Sequence, residues 1–238
     1  MRKFSPLIIL LFSCFLLACT TEQETTIDND NTKPKPFVLL KYLALGDSYT
    51  IGQSVCETCR FPVQLQDSIK KELLSGSEIS LNIVARTGWT TGNLLSAIKE
   101  QNLAEDYDLV TLLIGVNNQF QGKSFSVYEK EFPELVNTAI ALAKGKKSNV
   151  IVVSIPDYAF TTFGGGNPSI SNGIYKYNSF AQNYCKENNI EFVNITDITR
   201  EGFSNPKLVA SDGLHPSELA YTKFVSRILP KAKKALAE

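Results

Sequence analysis

Histidine, methionine and tryptophan are scarce in this chain, with one of each among 238 residues. A lone histidine excludes a multi-histidine metal centre, because such a centre gathers three or four ligands in space. Any imidazole base must therefore be His215. Neither sign of charge is in excess, with 24 Lys plus Arg against 24 Asp plus Glu, so no basic surface for nucleic acid is implied. The most apolar stretch, Leu7 to Ala18, is too short for the roughly 20 residues of a spanning helix. No Gly-Lys-Ser/Thr ending follows Gly164-Gly165-Gly166, so that run is not a phosphate loop; it reads as a flexible substrate loop. No internal repeat is visible.

What is present begins with Arg2 and Lys3, the apolar stretch and then Cys19, which together read as an export signal. Leu16-Leu17-Ala18-Cys19 resembles the lipobox of bacterial lipoproteins. The resemblance implies cleavage before Cys19, acylation of that cysteine and a lipid anchor in the cell envelope, outside the cytoplasm. Thr20 to Lys35 is polar and contains Pro34, a composition that buries too little apolar surface to fold. The expected organisation is a signal peptide at 1–18, a flexible tether at 19–36 and a single folded domain at 37–238.

From Phe37 onward, short apolar runs alternate with longer amphipathic segments, the pattern of a parallel sheet covered by helices on both faces. Five runs are rich enough in β-branched and apolar residues to be buried strands: Val38 to Leu45, Ile79 to Val84, Leu109 to Ile114, Val150 to Ser154 and Glu191 to Asn194. Helical spacing relates Leu65, Ile69 and Leu73 after Pro62, then Leu135, Ala139, Leu142 and Ala143, then Tyr177, Phe180, Ala181 and Tyr184. Pro133 is expected in the first turn of its helix, leaving 126–131 separate or kinked, and Pro230 is expected to break or kink the last helix.

Ligands of an open parallel sheet bind beyond the carboxyl ends of its strands. Gly46-Asp47-Ser48-Tyr49 follows the first strand, Gly88 the second and Asn117 the third, while Asp212-Gly213-Leu214-His215 precedes the last helix. A serine nucleophile needs a base, and a histidine base needs a carboxylate to fix its tautomer. Ser48, His215 and Asp212 supply these as candidate catalytic residues. Gly46-Asp47-Ser48, Gly88, Gly115-Val116-Asn117 and Asp212 to His215, in that order, resemble the four blocks of the SGNH (GDSL) hydrolases. That resemblance implies a flavodoxin-like three-layer α/β/α fold with a five-stranded parallel sheet, and hydrolysis of esters or thioesters without metal or organic cofactor. It assigns the oxyanion donors to the backbone N–H groups of Ser48 and Gly88 and the side-chain amide of Asn117. The implied partner is a small-molecule, lipid or glycan ester, for instance a lysophospholipid or an acetylated glycan. One departure concerns the third block, which often ends in Asp where this chain has Asn118; activity is expected to survive it. Tyr49 stands where the family's older name has Leu and decides little.

Two other features have competing readings. Cys56 and Cys59 form Cys-Glu-Thr-Cys just after Ser48, which suits either a structural disulfide or a thiol–disulfide oxidoreductase, and an exported chain favours the former. Cys14 leaves with the signal, and Cys185 is expected to be a buried free thiol. The aromatics Trp89, Tyr158, Phe160 and Phe163 are candidates for lining a substrate pocket. A surface lipoprotein that binds ligand on the same fold without catalysis is the non-enzymatic alternative.

Overall fold

The computed structural model describes residues 38–73 and 78–237. The signal segment, Cys14, Cys19 and the tether lie outside the described residues. The strands are β1 (Leu39–Gly46), β2 (Glu78–Ala85), β3 (Leu109–Leu113), β4 (Val150–Val153) and β5 (Glu191–Val193), all parallel, in the spatial order β2-β1-β3-β4-β5. The helices are α1 (Ser48–Ile51), α2 (Phe61–Leu73), α3 (Thr91–Gln101), α4 (Val116–Phe120), α5 (Phe125–Leu142), α6 (Pro168–Glu187), α7 (Thr196–Arg200) and α8 (Glu218–Ala237). α2 and α8 pack together on one face of the sheet, and α3, α5 and α6 cover the other. This is the expected three-layer α/β/α architecture with a flavodoxin-like strand order.

Every residue of β3 and β4 is buried, as are Tyr42, Leu43, Ala44 and Leu45 of β1. Strands covered on both faces read as unbroken apolar runs, which is why these three stand out in the sequence. The strand order reverses direction between β1 and β3, and the crevice beyond their carboxyl ends is where such a sheet binds ligands.

Pro133 stands inside its helix and not in the first turn, and neither Pro133 nor Pro230 ends the helix it lies in. α5 runs through Pro133 without a break, although an internal proline costs about 3 kcal/mol. Tyr128 and Phe132 before it and Leu135, Val136 and Ala139 after it are all buried. At roughly 1.5–3 kcal/mol for each large apolar side chain removed from water, this face outweighs the missing hydrogen bond. α8 likewise continues through Pro230. Pro230 and Ser226 are both exposed, so water can serve the carbonyl that proline leaves unpaired, while Ile228 and Ala232 stay in the core.

Candidate active site

β1 ends in a turn that only glycine permits. A Cβ on Gly46 would lie 2.1 Å from Thr50 Oγ1 and 2.4 Å from the Leu113 carbonyl oxygen, so a side chain there would push the turn off β3. Asp47 then caps α1, its Oδ1 accepting from the Tyr49 N–H at 3.0 Å. Ser48 opens that short helix with only 3% of its surface exposed.

On the other side, a tight loop brings His215 to the same crevice. The Ala210 N–H donates to the His215 carbonyl at 2.7 Å, and the Gly213 N–H to the Ala210 carbonyl at 3.0 Å. Gly213 turns the chain at φ +71°. Asp212 Oδ1 accepts from the Leu214 and His215 N–H groups, each at 3.0 Å, and Oδ2 meets His215 Nδ1 at 2.7 Å. Oδ2 also accepts from the Ser54 hydroxyl at 2.6 Å. Partial burial alone would raise the Asp212 pKa, but the hydrogen bonds from Ser54, His215 and Leu214 outweigh it and hold the carboxyl well below the usual carboxylate range. A carboxylate on Nδ1 fixes the proton there and leaves Nε2 as the basic nitrogen. Tyr49 packs its buried ring 5.0 Å from the imidazole, centroid to centroid.

Gly88 sits at φ +82°, with open space where a Cβ would be, and its N–H makes no backbone hydrogen bond among the described residues. Asn117, in the first turn of α4, is 8% exposed. Its Nδ2 donates to the Trp89 carbonyl at 3.0 Å and approaches Asp47 Oδ2 at 3.4 Å. Burial pushes the Asp47 carboxyl up to about 7, against the lowering effect of the Tyr49 N–H and the Asn117 amide. Ser48, Gly88, Asn117 and His215 all border one cavity of about 190 Å³. Its remaining wall is mainly apolar, formed by Tyr49, Val116, Phe120, Tyr158 and Leu214, with Thr87 at one side.

Residues 44–223 match the GDSL-like Lipase/Acylhydrolase family. The chain belongs to that family. It is accordingly a carboxylic ester hydrolase. No curated protein matches the sequence. Solved structures that share the fold include a lipase from a goat rumen metagenome, 16% identical with a TM-score of 0.68 over 83% of this chain and 99% of that one. A member of the lipolytic G-D-S-L family from Veillonella parvula is 17% identical, with a TM-score of 0.64 over 81% of this chain and 97% of its own. An acetyl-xylooligosaccharide esterase from Geobacillus is 20% identical, with a TM-score of 0.64 over 81% and 94%.

Within this GDSL-family domain, several sequence expectations change. Of the four aromatics proposed for the pocket, Tyr158 borders the cavity and the other three do not. Trp89 turns onto the core and contributes its carbonyl instead. Phe160 packs against Phe203, while Phe163 lies outside the cavity against Phe120 and Tyr158. The Gly164-Gly165-Gly166 run is a hydrogen-bonded turn, closed by Gly165 N–H to the Thr161 carbonyl at 2.9 Å and Gly166 N–H to the Ala159 carbonyl at 2.8 Å. It borders no part of the cavity wall. Tyr49 packs its ring against His215 and borders the cavity.

Asn118 is fully buried and serves α3, not the cavity. Its Oδ1 accepts from the Thr91 N–H at 3.0 Å, and its Nδ2 donates to Thr91 Oγ1 at 2.6 Å. The Thr91 hydroxyl in turn donates to Glu131 Oε2. Cys56 and Cys59 are joined in a disulfide, and Cys185 is a buried free thiol whose pKa burial pushes up to about 12.

Proposed function

We propose that this GDSL-family hydrolase is a serine esterase acting outside the cytoplasm on esters of short acyl groups, through an acyl-enzyme on Ser48. The observation that carries the reading is the shared cavity of Ser48 and His215, with Asp212 on the far nitrogen of the ring at 2.7 Å. Ser48 Oγ attacks the acyl carbonyl carbon as its proton passes to His215. The carbonyl oxygen becomes an oxyanion facing the Ser48 and Gly88 N–H groups and the Asn117 amide. Collapse expels the alcohol, which takes the proton from His215, and water then hydrolyses the acyl-serine by the same route.

A cavity of about 190 Å³ lies below the roughly 300–1,000 Å³ of sites that enclose drug-sized ligands, which favours a short acyl group with its alcohol left outside. An acetylated glycan suits this better than a lysophospholipid. The export signal at 1–18, Cys19 and the Cys56–Cys59 disulfide support a lipid-anchored enzyme in an oxidising compartment. The test is hydrolysis of p-nitrophenyl acetate and butyrate together with fluorophosphonate labelling. Both activities are expected in the wild type and absent from Ser48→Ala; hydrolysis that survives in Ser48→Ala removes Ser48 from the mechanism.

A further inference from the structure

Asp212 receives a hydrogen bond from a residue that belongs to none of the four sequence blocks. Ser54 lies in the loop between α1 and α2, and its hydroxyl donates to Asp212 Oδ2 at 2.6 Å, the same oxygen that meets the His215 ring. Its backbone stands at φ +66°, a left-handed conformation that costs a non-glycine residue about 1–2 kcal/mol. The other described non-glycine residues with positive φ, Asn102, Lys144 and Asn189, each follow the end of a helix, where that conformation is the usual cap. Ser54 has no such role, since Gly52 already caps α1. A glycine would adopt this conformation freely, and what serine adds is the hydroxyl on Asp212.

The loop that carries Ser54 is braced on both sides. Two residues on, Cys56 and Cys59 are disulfide-bonded, and the Gln64 side-chain amide holds the Cys59 carbonyl at 2.5 Å. One residue back, Gln53 Oε1 accepts from the Thr87 hydroxyl at 2.6 Å, so adjacent residues tie the loop to Thr87, beside Gly88, and to Asp212. Val55 packs against the core between them.

Resting on the catalytic reading above, we propose that Ser54 is a positioning residue that fixes the Asp212 carboxylate against His215, and that the Cys56–Cys59 disulfide holds Ser54 in place to do so. The Leu214 and His215 N–H groups already hold Oδ1 and the ring meets Oδ2; the Ser54 hydroxyl adds a second donor on Oδ2, which narrows the rotation that these contacts leave to the carboxylate about its side-chain bond. The titratable groups facing Asp212 are His215 and the buried phenols Tyr49 and Tyr221; among these contacts Ser54 supplies the neutral donor to Oδ2.

The discriminating variant is Ser54→Gly, which relieves the backbone while deleting the hydroxyl. Its Tm is expected to equal or exceed the wild type, KM for p-nitrophenyl acetate to stay unchanged, and kcat to fall about 5- to 20-fold, the low end for a charge-assisted hydrogen bond because this one is exposed. A purely structural Ser54 would let activity follow stability. Cys56→Ser/Cys59→Ser is then made in both backgrounds; it should lower kcat in the wild type and add little in Ser54→Gly, the non-additivity expected of residues acting through one contact. Wild-type kcat in Ser54→Gly overturns the positioning role, and an equal factor lost in both backgrounds overturns the coupling to the disulfide. A wild type that fails to react with a fluorophosphonate at Ser48 overturns the catalytic reading, and this inference with it.

Discussion

Asp212 holds His215 twice: its Oδ1 accepts from the His215 backbone N–H at 3.0 Å and its Oδ2 meets the ring Nδ1 at 2.7 Å. One carboxylate thus builds the turn and orients the imidazole within it. Asp212→Asn keeps an oxygen for the backbone N–H groups but turns an NH₂ toward Nδ1, which then favours the tautomer with its proton on Nε2. Such a ring cannot accept the serine proton. A loss of about 10³- to 10⁴-fold in kcat with Tm nearly unchanged is expected, in line with the effect of that exchange in a serine triad. Steady-state kinetics and a thermal melt check it, and a loss below about tenfold would remove Asp212 from the orienting role.

Asn117 places its amide at the cavity through a contact with the Trp89 carbonyl at 3.0 Å. Removing one oxyanion donor costs about 10²- to 10³-fold in kcat in a preorganised site. Asn117→Ala should therefore lose that much kcat with KM for a short ester little changed. A drop confined to KM would mean that the amide binds ground-state substrate instead.

The pH dependence of stability carries the signature of Asp47. Burial raises its pKa from 3.8 to about 7, so between those values the folded state binds a proton that the unfolded chain releases. Stability contributed by this group is then fully present below pH 3.8, declines as pH rises and is lost above about 7. Asp47→Asn does not titrate and retains an oxygen for the Tyr49 N–H. Its Tm relative to the wild type should rise from about pH 4 to about pH 7 and level off beyond. The trend is the measurement, because the amide also changes the contact with Asn117; parallel Tm curves would show an Asp47 that titrates alike in both states.

Phe120 sits half exposed on the cavity wall and closes it together with Tyr158, whose ring centroid is 6.0 Å away. Phe120→Ala opens apolar space there. Since each methylene that gains or loses its pocket is worth about 1–3 kcal/mol, the ratio of kcat/KM for p-nitrophenyl octanoate over acetate should rise at least about tenfold. An unchanged ratio would place the acyl chain elsewhere.

How much of this is legible in the sequence follows from the range of the interactions. Ser48 is visible because it follows a buried strand in a Gly-Asp-Ser turn and His215 because it is the lone histidine, whereas Gly88 and Asn117 are picked out by the resemblance to the family's blocks; all four border one cavity. Ser54 is not, since its partner lies 158 residues away and no local pattern marks that pairing. Phe120, at the end of α4, and Leu214, in a loop, escape notice because an aromatic or aliphatic residue looks the same in sequence whether it faces a cavity or a neighbour. Pro133 and Pro230 mislead for a related reason: local propensity argues for a break, and only the burial on both sides of each overrules it.

Asn118 explains its own departure from the Asp common in the family. The Thr91 hydroxyl has one proton, which goes to Glu131, while its oxygen accepts from the Asn118 amide. A carboxylate in place of that amide would have no proton to offer at neutral pH, so two carboxylates would compete for one hydroxyl hydrogen in a buried place. A buried polar group left without its partner costs about 1–3 kcal/mol, and Asn118→Asp should destabilise by that order at neutral pH. Glu131→Gln supplies the missing donor from the other side: its amide can donate to Thr91 Oγ1, freeing the hydroxyl proton for the introduced carboxylate. The double variant Asn118→Asp/Glu131→Gln should therefore recover most of the stability lost by Asn118→Asp alone, a coupling that urea unfolding of the wild type, both single variants and the double variant measures directly. Additive losses would mean that Asn118 and Glu131 do not share Thr91. Activity is a second readout, because Asn118 adjoins Asn117 while lying off the cavity wall: kcat should follow the folded fraction, and a separate fall in kcat would mean that the Thr91 network also steadies the Asn117 amide.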